Sequence, residues 1–207
     1  MSVSVLLSGA VLCPACSHPA PASGRDTTRP TYDKATGKLK ELTYDANQNG
    51  KIDTWTEMDG ARPLRSRIDR DEDGRIDRWE YYDASGALAK VGLTRRQGDK
   101  PDAWAYSGPD GQIARIDSSS TADENHIDRR EFYDNGVLAR SESDTNGDGR
   151  IDQWEVFEAG AVKTVAMDEN RDGRPDRRLT YGAGGVLVSI ESEPDASGTF
   201  HKRVTVR

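Results

Sequence analysis

Acidic side chains alternate along one short segment of the chain and end at a glycine. Residues 69–80 read Asp-Arg-Asp-Glu-Asp-Gly-Arg-Ile-Asp-Arg-Trp-Glu. In a tight loop, alternate side chains can point inward together, and a glycine at the sixth position permits the sharp turn that this requires. Calcium is a hard cation that takes about six to eight oxygen ligands. The segment is therefore predicted to be a calcium-binding loop.

The full pattern D-x-[DN]-x-[DN]-G-x5-E occurs in two segments of the chain. Positions one, three, five, nine and twelve offer side-chain oxygens, and position seven offers its backbone carbonyl. The candidate ligands in the first segment are Asp69, Asp71, Asp73, Arg75, Asp77 and Glu80. The candidate ligands in the second segment are Asp144, Asn146, Asp148, Arg150, Asp152 and Glu155.

Two further copies keep part of this pattern. The candidate ligands of one copy are Asp168, Asn170, Asp172, Arg174 and Asp176. The candidate ligands of the other copy are Asp45, Asn47, Asn49, Lys51 and Asp53. Position twelve is Leu179 in the former and Thr56 in the latter, so neither copy has the twelfth-position glutamate. We expect both copies to bind calcium more weakly, because fewer charged oxygens are present.

These loops resemble the calcium loop of the EF-hand family over twelve residues each, without its flanking helices. They are equally similar to the loops of thrombospondin type 3 and integrin-type FG-GAP repeats, where the same acidic ladder occurs without paired helices. The resemblance implies calcium ligation and not a sensor function. The EF-hand scheme assigns the closing ligands to Glu80 and Glu155. In a β-context, Asp77 and Asp152 at position nine would ligate directly.

A metal-free polar turn is the competing interpretation, since Asp, Asn and Gly also dominate ordinary turns. Four recurrences of the ladder, each with Gly at position six, favour the metal loop. The copies recur with a regular step, because Asp45 and Asp69 lie 24 residues apart, as do Asp144 and Asp168. Two degenerate copies, around 98–104 and 117–131, lie between them and keep only the Pro/Ile-Asp pair of the motif. We expect that aspartate also to serve the fold.

Each acidic loop is followed by an aromatic run, a Gly-containing turn and a short apolar run, which is typical of a β-hairpin. Asn135-Gly136 suits a turn that needs positive φ, and Trp79 and Tyr81 alternate with polar residues as in a strand. The predicted fold is all-β: an open tandem array of β-hairpins, about six repeats of ~24 residues, with calcium-binding loops between the hairpins. About twelve strands are expected, with a half-repeat at each end.

Composition limits the core and the partners of the chain. Hydrophobic residues make up 34% of the 207 residues and charged residues 31%, which predicts a narrow core. The net charge is −7, and no basic stripe is present to bind nucleic acid. Cations are the better partners.

The first residues of the chain are predicted to be a targeting signal and not a domain. Residues 3–12 form an apolar run of signal-peptide length. With Ala15 before it, Cys16 resembles the lipidated cysteine of a bacterial lipoprotein signal. A redox pair of Cys13 and Cys16 is disfavoured, because no βαβ pattern follows, and a zinc site lacks a fourth ligand. We therefore expect a signal peptide (1–16), a flexible linker (17–31) and the repeats (32–207), lipid-anchored at the cell envelope or secreted.

The leading interpretation is a non-enzymatic, calcium-stabilised repeat lipoprotein exposed at the cell envelope. An enzyme is disfavoured, because the three histidines are far apart in sequence and no nucleophile or zinc-protease motif occurs. The alternative is an adhesin or glycan-binding module with a surface protein or polysaccharide as partner. Its stacking row would be Trp55, Trp79, Trp104 and Trp154, although a repeated core position explains these tryptophans better.

Overall fold

The computed structural model describes residues 27–95 and 100–206, which form fifteen strands and one 3-10 turn, Ala183–Gly185. The strands are β1 (Thr28–Tyr32), β2 (Leu39–Tyr44), β3 (Thr54–Asp59), β4 (Arg62–Ile68), β5 (Arg78–Tyr82), β6 (Leu88–Leu93), β7 (Ala103–Ser107), β8 (Ile113–Ser118), β9 (Arg129–Asp134), β10 (Val137–Ser143), β11 (Gln153–Glu158), β12 (Ala161–Met167), β13 (Arg177–Tyr181), β14 (Leu187–Pro194) and β15 (Phe200–Thr205). Within the described ranges, no helix is long and apolar enough to cross a membrane.

All fifteen strands belong to one antiparallel sheet, and their order in the sheet is their order in the sequence. The predictions of an all-β chain and of an open array are therefore confirmed. The prediction of about twelve strands was too low, because the terminal segments also pair. Before the first acidic loop the chain forms β1 and β2, and after β14 it forms β15.

The sheet also begins earlier than predicted. β1 starts at Thr28, which pairs with Tyr44, so the end of the predicted linker (17–31) lies in an edge strand. The backbone N–H and C=O groups of β2 point to both sides of the strand, and residues 28–31 pair with those on one side. Cys16 and the predicted signal peptide lie outside the described residues.

In a meander, successive connections lie at opposite ends of the strands. Here the short turns lie along one end of the strands, and the longer polar connections all lie along the other end. We call this row of connections the acidic edge, which is distinct from the edge strands β1 and β15. Its connections are residues 45–53, 69–77, 119–128, 144–152 and 168–176, the described residues 94–95 and 100–102 between β6 and β7, and the short 195–199 turn. The topology thus collects segments that are far apart in sequence into one row.

The short turns have the backbone that their sequences predict. Asn135 and Gly136 have φ of 48° and 76°, and Ala159 and Gly160 have φ of 51° and 79°. Two successive positive φ values match the twist of the flanking strands, and glycine adopts them at little steric cost. These turns fix the hairpin register and therefore the spacing of the loops on the opposite edge.

The core is narrow, as the composition predicts. Among the residues that the structure describes, the buried hydrophobic side chains are Trp79, Ala103, Trp104, Ala105 and Ile116. Trp79 and Trp104 share one face, because Gly92 pairs with both of them from the strand between. A Cβ atom at Gly92 would lie 2.9 Å from the Pro101 Cβ atom, so the glycine allows this loop residue to pack closely against the sheet.

Candidate metal-binding loops

Backbone hydrogen bonds hold each acidic loop at its base. In the 69–77 loop, the Asp77 N–H donates to the Ile68 carbonyl over 2.9 Å, which closes the loop. The Asp69 N–H donates to the Asp53 carbonyl over 2.9 Å, and so joins this loop to the one before it. The Asp168 N–H contacts the Asp152 carbonyl in the same way over 2.9 Å. Neighbouring loops are therefore fixed to each other as well as to their strands.

The four acidic loops share one internal hydrogen-bond pattern. The first-position carboxylate accepts the N–H of the sixth-position glycine through its Oδ2 atom. The distances are 2.6 Å for Asp45 and Gly50, 3.0 Å for Asp69 and Gly74, 2.7 Å for Asp144 and Gly149, and 2.7 Å for Asp168 and Gly173. The fifth-position side chain accepts the N–H of the seventh residue in each loop, as Asp73 does from Arg75 over 2.8 Å. The loops are thus shaped by their own polar groups.

Two positions in each loop have left-handed backbone. The sixth is always glycine, with φ between 86° at Gly149 and 100° at Gly50. The fourth has φ of 62° at Gln48, 59° at Glu72, 77° at Gly147 and 66° at Arg171. The sequence pattern predicted the glycine, because φ near 90° excludes most L-residues. It did not predict the fourth position, which carries any residue type in the motif.

Gly74→Ala is expected to lower the free energy of unfolding by about 1–2 kcal/mol, because φ of 91° strains an alanine and the Gly74 N–H bond to Asp69 must shift. Urea denaturation measures this loss. A Cβ at Gly74 meets no atom within 4 Å among the described residues, so steric overlap is not the cause. Gly147→Ala tests the fourth position in the same way. Unchanged stability in both variants would contradict the proposed role of the backbone.

Three carboxylates converge in the 69–77 loop. Asp69, Asp71 and Asp77 each place one oxygen within 4.8 Å of the others. Asp69 is only 5% exposed, and its Oδ1 atom has no hydrogen-bond partner among the described residues. A buried carboxylate oxygen without a partner is unfavourable unless a cation or another donor satisfies it. The arrangement can hold a metal ion.

The structure places Asp77, and not Glu80, in this group of oxygens. Glu80 lies within β5, where its Oε1 atom accepts the Arg78 Nε–H over 2.8 Å and its Oε2 atom accepts the Tyr82 hydroxyl over 2.7 Å. A strand continues directly from position nine, so position twelve lies on the face of the sheet. The ninth-position alternative is therefore the one that fits the geometry of this loop.

Glu155 has a corresponding place in β11. Its Oε2 atom accepts hydrogen bonds from the Ser141 hydroxyl at 2.6 Å and from Arg129 Nη2 at 2.9 Å. Arg129 also contacts Glu131 at 3.1 Å. Burial raises the pKa of Glu131, but bonds from Arg129 and Arg95 outweigh it and leave that pKa lowered. The twelfth-position glutamates thus belong to polar networks of the sheet.

In two of the other three acidic loops, 144–152 and 168–176, an asparagine amide contacts the ninth-position carboxylate. Asn146 Nδ2 donates to Asp152 over 2.8 Å, and Asn170 Nδ2 donates to Asp176 over 2.9 Å. A cation at either place would compete with this hydrogen bond. Asp144 and Asp168 remain buried at position one, as Asp69 does.

In the described residues of the two degenerate loops, the ninth-position role is kept. Asp102 accepts the Arg95 N–H over 2.7 Å, as Asp77 accepts the Arg70 N–H over 2.7 Å. Asp128 likewise accepts the Ser120 N–H. This aspartate therefore holds the start of the loop whether or not the acidic ladder is present, which supports its predicted role in the fold. Ser119 takes the place of the first-position aspartate in a loop one residue longer than the acidic loops, because its N–H donates to the Asp102 carbonyl over 2.9 Å as the Asp69 N–H does to Asp53. The motif spacing did not predict this substitution.

The seventh-position residues contribute exposed side chains. Arg75 and Arg150 are exposed, and Arg174 donates from Nη1 to the Ala196 carbonyl over 3.1 Å. Lys51 places its Nζ atom 3.3 Å from a carboxylate oxygen of Glu72.

Glu72 is a second residue of the acidic edge that the sequence pattern missed. It lies at position four of the 69–77 loop, yet its Oε1 atom accepts the Asn47 Nδ2–H over 2.6 Å and a hydrogen bond from Asn49 Nδ2. The hydrogen bond from Asn47 lowers the pKa of Glu72, with contributions from Asn49 and Lys51, against the opposing effect of desolvation. Nothing in the spacing of the motif marks position four as a contact between loops.

The fold and these loops define an all-β protein of one meandering sheet, with a row of acidic loops along one edge. No protein-family model and no curated protein matches this chain. Among solved structures, the crystal structure of accessory secretory protein 1, 2 and 3 in Streptococcus pneumoniae aligns with 70% of this chain at 12% identity and a TM-score of 0.25. This chain covers 19% of that chain.

Proposed function

We propose that this chain is a non-enzymatic, calcium-stabilised repeat protein of the cell envelope, anchored by a lipid on Cys16. The observation that carries the proposal is the buried Asp69 Oδ1 atom, which has no hydrogen-bond partner among the described residues and belongs to the Asp69, Asp71 and Asp77 group. A cation there would satisfy Asp69 and reduce the repulsion among three carboxylates.

Oxygen donors favour calcium over softer metals. Asp69, Asp71 and Asp77 offer carboxylates, and the pattern adds the Arg75 backbone carbonyl as a neutral oxygen. A surface loop can complete a large coordination sphere with water, which suits the flexible geometry of calcium better than the strict octahedron of magnesium. Extracellular calcium is abundant, so even loops of about millimolar affinity would fill outside the cell.

The remaining loops extend the proposal along the acidic edge. The 144–152 and 168–176 loops share the hydrogen-bond pattern of the 69–77 loop, and we propose that they bind calcium more weakly because an asparagine amide competes at position nine. We propose that the 45–53 loop also binds calcium more weakly than the 69–77 loop, because it has Asn47 and Asn49 at positions three and five. Calcium would thus stabilise the edge loop by loop.

The tryptophan row does not favour the glycan-binding alternative. Trp79 and Trp104 are 4% and 2% exposed, so their rings are not accessible for stacking on a sugar. Trp55 and Trp154 are half-buried, and they lie too far apart in strand order, in β3 and β11, to make one continuous platform.

Calcium titration by isothermal calorimetry tests the proposal. We expect the wild-type chain to bind calcium, and Asp69→Asn to lose one binding component or to weaken it at least about tenfold, because a charged ligand is removed. Asp83→Asn is the matched control. Asp83 forms similar local bonds, to Ser85 and Ala87, in a turn at the opposite edge of the sheet. Wild-type protein without calcium binding, or an Asp69→Asn isotherm like that of the wild type, would contradict the assignment.

A further inference from the structure

Glu72 joins two loops that are far apart in sequence. It belongs to the 69–77 loop, but its carboxylate contacts Asn47, Asn49 and Lys51 of the 45–53 loop. The Glu72 side chain is only 12% exposed, although it lies on a polar edge. A carboxylate held by two amide donors and one ammonium group is fixed in place and is not a freely solvated surface charge.

The 45–53 loop has the side chains that this contact requires. Position five is Asp73, Asp148 or Asp172 in the other acidic loops but Asn49 here, and an aspartate at that place would repel Glu72. The Asn49 amide donates outward to Glu72 through Nδ2, while its Oδ1 atom accepts the Lys51 N–H over 2.8 Å. Asn47 is used in the same way, with Oδ1 accepting the Asn49 N–H over 3.0 Å.

The contact bears directly on the group of three carboxylates. Glu72 follows Asp71 in the chain and has φ of 59°, a left-handed conformation that an unrestrained glutamate seldom adopts. Position four has this backbone in all four acidic loops, and in the 69–77 loop its side chain is in addition anchored on the preceding loop. This turn places Asp71 beside Asp69 and Asp77.

We propose that Glu72 is a positioning residue for the cation site of Asp69, Asp71 and Asp77, and that the 45–53 loop serves as its dock. The two loops then bind the cation as one unit. This inference rests on the proposed function, and it gives the asparagines of the first loop a task other than weak ligation.

The last pair of acidic loops differs from the first pair at position four. Position four of the 168–176 loop is Arg171, which lines a cavity of about 80 Å³ together with Asp148 and Asp152 of the preceding loop. The fourth-position side chain therefore faces the preceding loop in both pairs. Glu72 accepts hydrogen bonds from two amides there, whereas Arg171 shares its cavity with Asn146 as well as with the two aspartates.

A double-mutant cycle read by calorimetric calcium titration tests this inference. The site is identified as the binding component that Asp69→Asn removes or weakens. Glu72→Ala and the double substitution Asn47→Ala/Asn49→Ala are each expected to weaken that component about tenfold, as the loss of charge-assisted hydrogen bonds predicts. Because Glu72 acts through the dock, the triple variant should be no weaker than either parent.

Two further variants keep the test decisive. Glu72→Gln keeps an acceptor oxygen but loses the negative charge. Its calcium affinity should be about a third of the wild-type affinity, because replacing a charged acceptor by a neutral one costs roughly half a log unit in the dissociation constant. Glu169→Ala is the matched control, because Glu169 pairs with Arg177 in its own hairpin region at 2.9 Å and should leave the component unchanged. Additive losses in the cycle, or unchanged binding in Glu72→Ala, overturn the inference while the wild type still binds calcium. A wild type that binds no calcium overturns the proposed function as well.

Discussion

Adding EDTA to the calcium-loaded chain is expected to lower its melting temperature by about 5–10 °C for each calcium site. This value applies when the free calcium concentration before EDTA is about a hundred times the dissociation constant of the site. A ligand that binds only the folded state at this excess stabilises it by about 2.7 kcal/mol. In a chain of this size, 1 kcal/mol shifts the melting temperature by about 2–4 °C. The physical source is the carboxylate repulsion at Asp69, Asp71 and Asp77 that returns when the cation leaves. Differential scanning calorimetry with and without EDTA measures the shift.

Two controls separate specific binding from general screening. Raising the sodium chloride concentration after EDTA treatment should restore only part of the loss, because monovalent salt screens exposed charges but does not ligate the buried Asp69 oxygen. Asp69→Asn should show a smaller EDTA effect than the wild type, since one site is already impaired. An identical melting temperature with and without EDTA would rule out calcium stabilisation.

Trp104→Ala is expected to lower the free energy of unfolding by about 3–5 kcal/mol, the usual range for truncating a buried tryptophan. Trp104 is 2% exposed and lies between Gly92 of β6 and Asp117 of β8. Few apolar side chains are buried in residues 27–95 and 100–206, so the remaining core cannot readily fill the cavity. Urea denaturation followed by circular dichroism measures the loss.

Val156→Ala provides the comparison for this substitution. Val156 is exposed on a strand of the same sheet, and its truncation should change stability by less than about 0.5 kcal/mol. A Trp104→Ala loss as small as that of Val156→Ala would show that the ring is not part of the core, and would reopen the glycan-stacking alternative.

The local features of the fold could be predicted from sequence because their causes are local. Asn135-Gly136 predicts its hairpin turn, since the two residues themselves tolerate the positive φ values of 48° and 76°. Gly74 predicts the sharp turn of its loop for the same reason. The alternation of Trp79 and Tyr81 follows from the two-residue period of a strand. Each of these inferences needs no more than a dozen neighbouring residues.

The strand number and the start of the sheet were predicted less well. The segment 28–31 ends a stretch rich in Ser, Pro, Ala and Thr, a composition that predicts a flexible linker. It forms a strand because the backbone of β2 offers it partners, and proline is tolerated at an edge that needs no further donor. Pairing of this kind depends on the neighbouring strand more than on the composition of the segment.

Within the candidate site, the sequence determined which residues carry oxygen and how they alternate. Only the tertiary structure decided how they are used. It directs Glu80 to Arg78 and Tyr82 because position twelve falls inside a strand, and so leaves Asp77 beside Asp69.

The contact of Glu72 with Asn47 spans 25 residues and arises only because the meander places every second connection on the same edge. The ladder within a loop is local chemistry that can be read along the chain. The relation between loops is set by the register of the strands that separate them, which no single motif encodes.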